Sequence, residues 1–136
     1  MNDKSPASTV NTEESAINAV LDKLYAAWEA NDADAFVADY TEDATAILTG
    51  SYRENRQVVR DRMAESFAGP LKGSRAYDES RTMRFPAAGT AVVVSRGGVV
   101  PAGQSEVPDG YWVLATWTLV KRDDRWQIVA YHNCPA

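Results

Sequence analysis

The chain has 136 residues, 45% hydrophobic and 24% charged, with a net charge of −5. That acidity argues against a nucleic acid or an anionic membrane as the main partner. No run is apolar and long enough to span a membrane, no signal-like core follows Met1, and one cysteine makes no internal disulfide. A cytoplasmic protein with a single core and room for a small pocket is therefore expected.

Residues 1–11 are small and polar and are expected to form a disordered tail, with one folded domain over 12–136. Asn11 or Thr12 caps the first expected helix, and Ile17, Val20, Leu21, Leu24 and Trp28 recur along it at helical spacing. "NDAD" (Asn31 to Asp34) ends that helix and opens a short second one through Phe36, Val37 and Tyr40. A brief strand, "ATAILTG", leads to a turn at Gly50. A third helix runs from about Asn55 to Phe67, carries Val58, Val59 and Met63, and stops at Gly69-Pro70. The run "RENRQVVRDRM" (Arg53 to Met63) reads as a solvated helix face, because its acids break up the positive field.

After Lys72 the pattern changes to strands. "RAYDESRTMRF" alternates, "TAVVVSRGGVV" is β-branched, and "PAGQSEVPDG" is a loop dense in Pro and Gly. "YWVLATWTLV" and "RWQIVAYHN" form a closing hairpin across "KRDD". Helices followed by a meandering, mostly antiparallel sheet give an α+β class with the helices on one sheet face. A curved sheet folded around a long helix makes a cone whose concave face holds a cavity. The opposite face is then left for a partner subunit. A homodimer is expected through Val113, Ala115, Trp117 and Leu119, taken as the outward positions of their strand.

The only histidine and the only cysteine, His132 and Cys134, lie two residues apart near the C-terminus. On a strand such residues share a face, yet their side chains run parallel about 7 Å apart, which disfavours a thiolate–imidazole pair. One His and one Cys are too few for zinc, so no metal site is expected. If Trp126, Ile128, Ala130 and His132 form the inner face, His132 reaches the cavity mouth as a proton carrier or as a rim hydrogen-bonder. A one-residue slip in register would swap the faces. Tyr40 and the Thr116 hydroxyl are the candidate helpers of His132.

Trp28, Tyr40 and Trp112 either line a flat apolar pocket or pack the core, whereas Phe36 and Trp126 read as core. Met63 and Phe67 complete the candidate ligand contacts on the helices. Asp109, at the end of the Gly/Pro-rich loop, either approaches the cavity mouth or simply forms a turn.

The stretch "YAAWEANDADAFVADYTEDATAILTG" resembles the first third of the nuclear-transport-factor-like, ketosteroid-isomerase-like cone fold, and "YWVLATWTLVKRDDRWQIVAYHN" resembles its closing hairpin. Within that superfamily the chain is most similar to the SgcJ/EcaC group of SnoaL-like proteins, often encoded beside polyketide and notably enediyne genes. The resemblance implies a cytoplasmic homodimer acting on, or sheltering, a hydrophobic polyketide-type intermediate. It implies no cofactor, and if there is catalysis, acid–base chemistry such as cyclisation, isomerisation or dehydration. The isomerase's own catalytic groups are missing. Its oxyanion tyrosine falls on Leu24, with Tyr25 one residue away, its base on Leu48, and its protonated aspartic acid near Thr116.

Overall fold

Helix α1 (Pro6–Glu29) turns Ile17, Leu21, Leu24 and Ala27 into the core, the three- and four-residue steps of one buried stripe. The computed structural model describes residues 6–136, with side chains from Thr12 onward. Helix α1 begins ahead of the cap expected at Asn11 or Thr12, and residues 1–5 of the expected tail lie outside the described residues. Its C-terminus is closed by Asn31, whose φ of 54° is left-handed. The Asn31 N–H donates to Trp28 O and the Asp32 N–H to Ala27 O, at 2.7 and 2.9 Å. This paired closure satisfies carbonyls that the helix end would leave open.

Asp32 then caps the short α2 (Ala33–Phe36) by accepting from Ala35 N–H. The second helix ends at Phe36, and Tyr40 opens strand β1 (Tyr40–Leu48) instead of extending the helix as expected. Strand β2 (Ser51–Arg53) folds back on β1 through the turn at Gly50. Helix α3 (Arg56–Ala68), capped by the Asn55 side chain on Val58 N–H, buries Val59, Met63 and Phe67. Four strands complete the chain: β3 (Arg75–Ala87), β4 (Thr90–Val100), β5 (Trp112–Arg122) and β6 (Arg125–Pro135). The turn between β5 and β6 places Asp123 and Asp124 at φ 53° and 59°, the left-handed pair of a two-residue hairpin.

The six strands form one sheet in the order β2-β1-β6-β5-β4-β3, antiparallel except for β1 against β6. The expected α+β cone is thus the observed one. The helices fill the concave face, where Ala91, Val93, Ala115, Trp117, Leu119, Trp126 and Ile128 are buried against them.

One expected face is reversed, and a second holds only as far as a bulge. On β5 the inner set is Val113, Ala115, Trp117 and Leu119, the residues expected to face a partner. Trp112, Leu114, Thr116 and Thr118 point outward. Burial decides this, since one set is wholly apolar and the other contains two threonines. On β6 the alternation breaks within the strand. Thr118 pairs with Ala130 but Leu119 pairs with Ile128, so Val129 is an extra, bulged residue. Trp126 and Ile128 face the core before the bulge, while Tyr131 and Asn133 face the cavity after it. His132 is therefore exposed on the convex face, in register with Thr116 on one side and Ile47 on the other.

Candidate functional site

Between α1, α3 and the concave sheet lies a cavity of about 370 Å³, within the size range of small-molecule sites. Its apolar wall comes from Leu24, Trp28, Phe36, Val59 and Met63 on the helices and Val113 on the sheet. Trp28 is fixed in place: its indole N–H donates to Ser74 Oγ at 2.9 Å, and its ring meets Phe36 and Phe67 edge-on. Asn31 draws the same loop in by accepting from Gly73 N–H at 2.8 Å. The helix end that positions Trp28 is thereby tied to the segment that hydrogen-bonds it.

Polar groups enter the cavity at two places. Beside α1, Tyr25 donates to Asp78 Oδ1 at 2.7 Å, and the other carboxylate oxygen takes the Arg81 guanidinium at 2.9 Å. Arg81 also reaches Asn18 and Asp22 on α1. The Asp78 side chain is only 7% exposed, so its charge is matched inside the protein. It lies across Gly97, where a Cβ would stand 2.8 Å from Oδ1. Gly97 is the sheet position that leaves room for this carboxylate. Next to the pair, Trp117 packs between Tyr25 and Tyr131, its ring centre 4.3 Å from that of Tyr131.

The second polar region is at β2. Arg53 pairs in register with Ala46, which pairs with Tyr131, which pairs with Trp117, so these four form one row across the concave face. Burial holds the Arg53 guanidinium below its usual value, with the phenols of Tyr40 and Tyr131 acting the other way. Its own contacts are weak: Nε to Ser51 Oγ at 3.4 Å and Nη1 to Met63 Sδ at 3.3 Å. Among the described residues no carboxylate lies within 4.0 Å of it.

The cavity phenols stay protonated at neutral pH. Burial, then the Asp78 charge, raises Tyr25 well above the ordinary phenol value, and burial does the same for Tyr40. Tyr131 is pushed up to about 12, again chiefly by burial. They serve as neutral hydrogen-bond donors. Ser95 Oγ and Trp117 Nε1 are buried with no hydrogen-bond partner among the described residues, and both residues line the cavity.

The family described as the SnoaL-like domain matches residues 17–136. The chain is a SnoaL-like protein. Solved structures place the SnoaL-like chain in the cystatin-like, nuclear-transport-factor-like cone fold. A domain of unknown function with a cystatin-like fold from Nostoc punctiforme superposes with a TM-score of 0.84 at 26% identity, covering 92% of this chain and 78% of its own. An NTF2-like protein from Novosphingobium aromaticivorans gives 0.79 at 13% identity, covering 98% and 92%. A protein of the same organism described as a candidate scytalone dehydratase gives 0.78 at 16% identity, covering 96% and 88%. No curated protein matches.

Of the expected site residues, the SnoaL-like fold brings Tyr40, Trp28 and Met63 to the cavity. Phe67 is buried behind it, against Trp28 and Phe36. His132 and Thr116 stand together on the convex face and do not reach the cavity: the Val129 bulge turns the end of β6 over, and Thr116 belongs to the outward set of β5. Trp112 is also outward, under the Arg96 guanidinium at 4.1 Å. Asp109 is exposed in the loop and is not among the lining residues. Cys134 is exposed on the outer face. Tyr25, Asp78, Arg53, Tyr131 and Asn133 were missed as cavity residues, although Tyr25 lies one residue from the position aligned with the isomerase tyrosine. Arg53 was assigned to the solvated helix face; Arg56 and Arg60 on α3 do pair with surface acids, but Arg53 lies on the preceding strand.

Proposed function

We propose that the protein binds a small, largely apolar molecule in the concave cavity, by resemblance a polyketide or enediyne-type intermediate. The observation that carries this reading is an aromatic cavity of about 370 Å³ with a few fixed polar groups on its wall. The state of those groups supports holding the molecule over transforming it. The three buried phenols are raised away from neutral pH, and Asp78 is committed to Tyr25 and Arg81. A binding or accessory role for a labile hydrophobic intermediate follows.

Cofactor-free cyclisation, isomerisation or dehydration is the second reading, favoured by the 2.7 Å contact of Tyr25 with Asp78 at the cavity wall. In it, Asp78 removes a proton and the Tyr25 hydroxyl turns to the substrate oxygen as a neutral donor. Either reading is served by a homodimer through the convex face, which exposes Ile47, Val94 and Leu114 at 39%, 44% and 47%. Calorimetric titration with methyl 2-naphthoate tests the site itself. One saturable site per chain is expected, retained in His132→Ala because that side chain lies on the other face. No saturable binding of this ester or of its parent acid by the wild-type protein, or loss of binding in His132→Ala, contradicts the proposal.

A further inference from the structure

Arg53 has no carboxylate within 4.0 Å among the described residues, and Glu65 acts on it only from farther away. A guanidinium offers five N–H donors in a planar fork, and a half-buried one ordinarily faces a carboxylate or several carbonyls. Arg53 has one long contact to a hydroxyl and one to a thioether, and Nη2 has no acceptor among the described residues. The same region holds the Tyr40 hydroxyl, without a protein hydrogen bond among the described residues, and the Tyr131 hydroxyl, which accepts from Asn133 at 2.8 Å and keeps its own proton to give. Nearby on the concave face, Ser95 and Trp117, only 2% and 3% exposed, bury donors without partners among the described residues, and both residues line the same cavity. These are donors lacking acceptors, set in an apolar wall.

We infer that the cavity's ligand is an apolar molecule ending in a single carboxylate, which the Arg53 guanidinium receives with the Tyr40 and Tyr131 hydroxyls beside it. This rests on the small-molecule reading of the cavity and names the class of molecule. A monoanion is selected over a phosphate ester because one unpaired cation balances one charge, and a dianion would keep an unneutralised charge in an apolar enclosure. A carboxylate also matches the fork of the guanidinium in shape.

The test compares 2-naphthoate with methyl 2-naphthoate, which share a ring system and differ in charge, by calorimetric titration at pH 7. Wild-type protein is expected to bind the acid about tenfold or more tightly than the ester, as a charge-assisted hydrogen bond provides. In Arg53→Met the ratio falls to about one, and in Arg53→Lys part of it returns. Equal binding of acid and ester by the wild-type protein overturns the inference while leaving the cavity reading intact, and so does a preference that survives in folded Arg53→Met. Binding of neither compound overturns the cavity reading, and the inference with it. The wild-type comparison stands even if Arg53→Met does not fold.

Discussion

Replacing Gly97 with alanine probes how tightly the Tyr25–Asp78–Arg81 group is built. Gly97 has ordinary extended backbone, so a side chain brings no φ penalty, and the smaller unfolded-state entropy of alanine favours folding by about 0.4–1 kcal/mol. Against this, the new Cβ stands 2.8 Å from Asp78 Oδ1 and 3.2 Å from Tyr77 O. The first contact is closer than a carbon and an oxygen tolerate, and Asp78 has little room to move because Arg81 grips its other oxygen at 2.9 Å. The bond that yields is the one from Tyr25, a hydrogen bond to a charged acceptor worth about 1.5–3 kcal/mol. The net loss is about 1–2 kcal/mol. Urea unfolding followed by far-ultraviolet circular dichroism reads this as a lower midpoint at unchanged slope. The same substitution made in Asp78→Ala costs less than about 0.5 kcal/mol, since the atom it strikes is gone. A Gly97→Ala midpoint equal to or above wild type, or the same cost in both backgrounds, refutes the packing described.

Three further outcomes follow from the structure. Tyr25, Tyr40 and Tyr131 hold their protons more tightly when folded than when unfolded. Their contribution to stability is therefore complete below the ordinary phenol value of about 10 and is lost as pH climbs toward and past that of folded Tyr131; melting temperature against pH checks this, and a flat profile above that value contradicts it. Asn31→Ala forces alanine to φ 54° and removes the bonds to Trp28 O and Gly73 N–H. A loss of about 1–3 kcal/mol is expected, with Asn31→Gly recovering only the backbone part. Leu114→Asp, on the exposed convex face, shifts sedimentation toward the monomer if that face joins two copies; an unchanged distribution argues against a dimer through it.

The fold was legible because its punctuation is local. Asn31-Asp32, Asn55, Gly50 and the Asp123-Asp124 pair each act through their own side chains or backbone, and each ends or begins an element close to where the residues announce it. The inner face of the sheet was less legible. Both sets of positions on β5 carry apolar residues, and the two threonines that mark the outer set are a weak signal beside Trp112 and Leu114. On β6 a single bulged residue, Val129, reverses the alternation, and no local residue type in "QIVAYHN" demands it. The bulge is a property of pairing with β1 and β5, which is why His132 was expected at the cavity and Tyr131 was not. Arg53 was hidden by its neighbours, since a mixed-charge run reads as one solvated surface until a strand and a cap divide it.

The most direct test of the account is to locate a bound molecule by nuclear magnetic resonance. With methyl 2-naphthoate added to isotopically labelled protein, the account predicts saturable shifts at the Trp28 and Trp117 indole N–H groups and at the amides of Tyr131 and Asn133, with His132, Thr116 and Leu114 unmoved. Shifts confined to the convex face, or none that saturate, would contradict the claim that the concave cavity is the binding site.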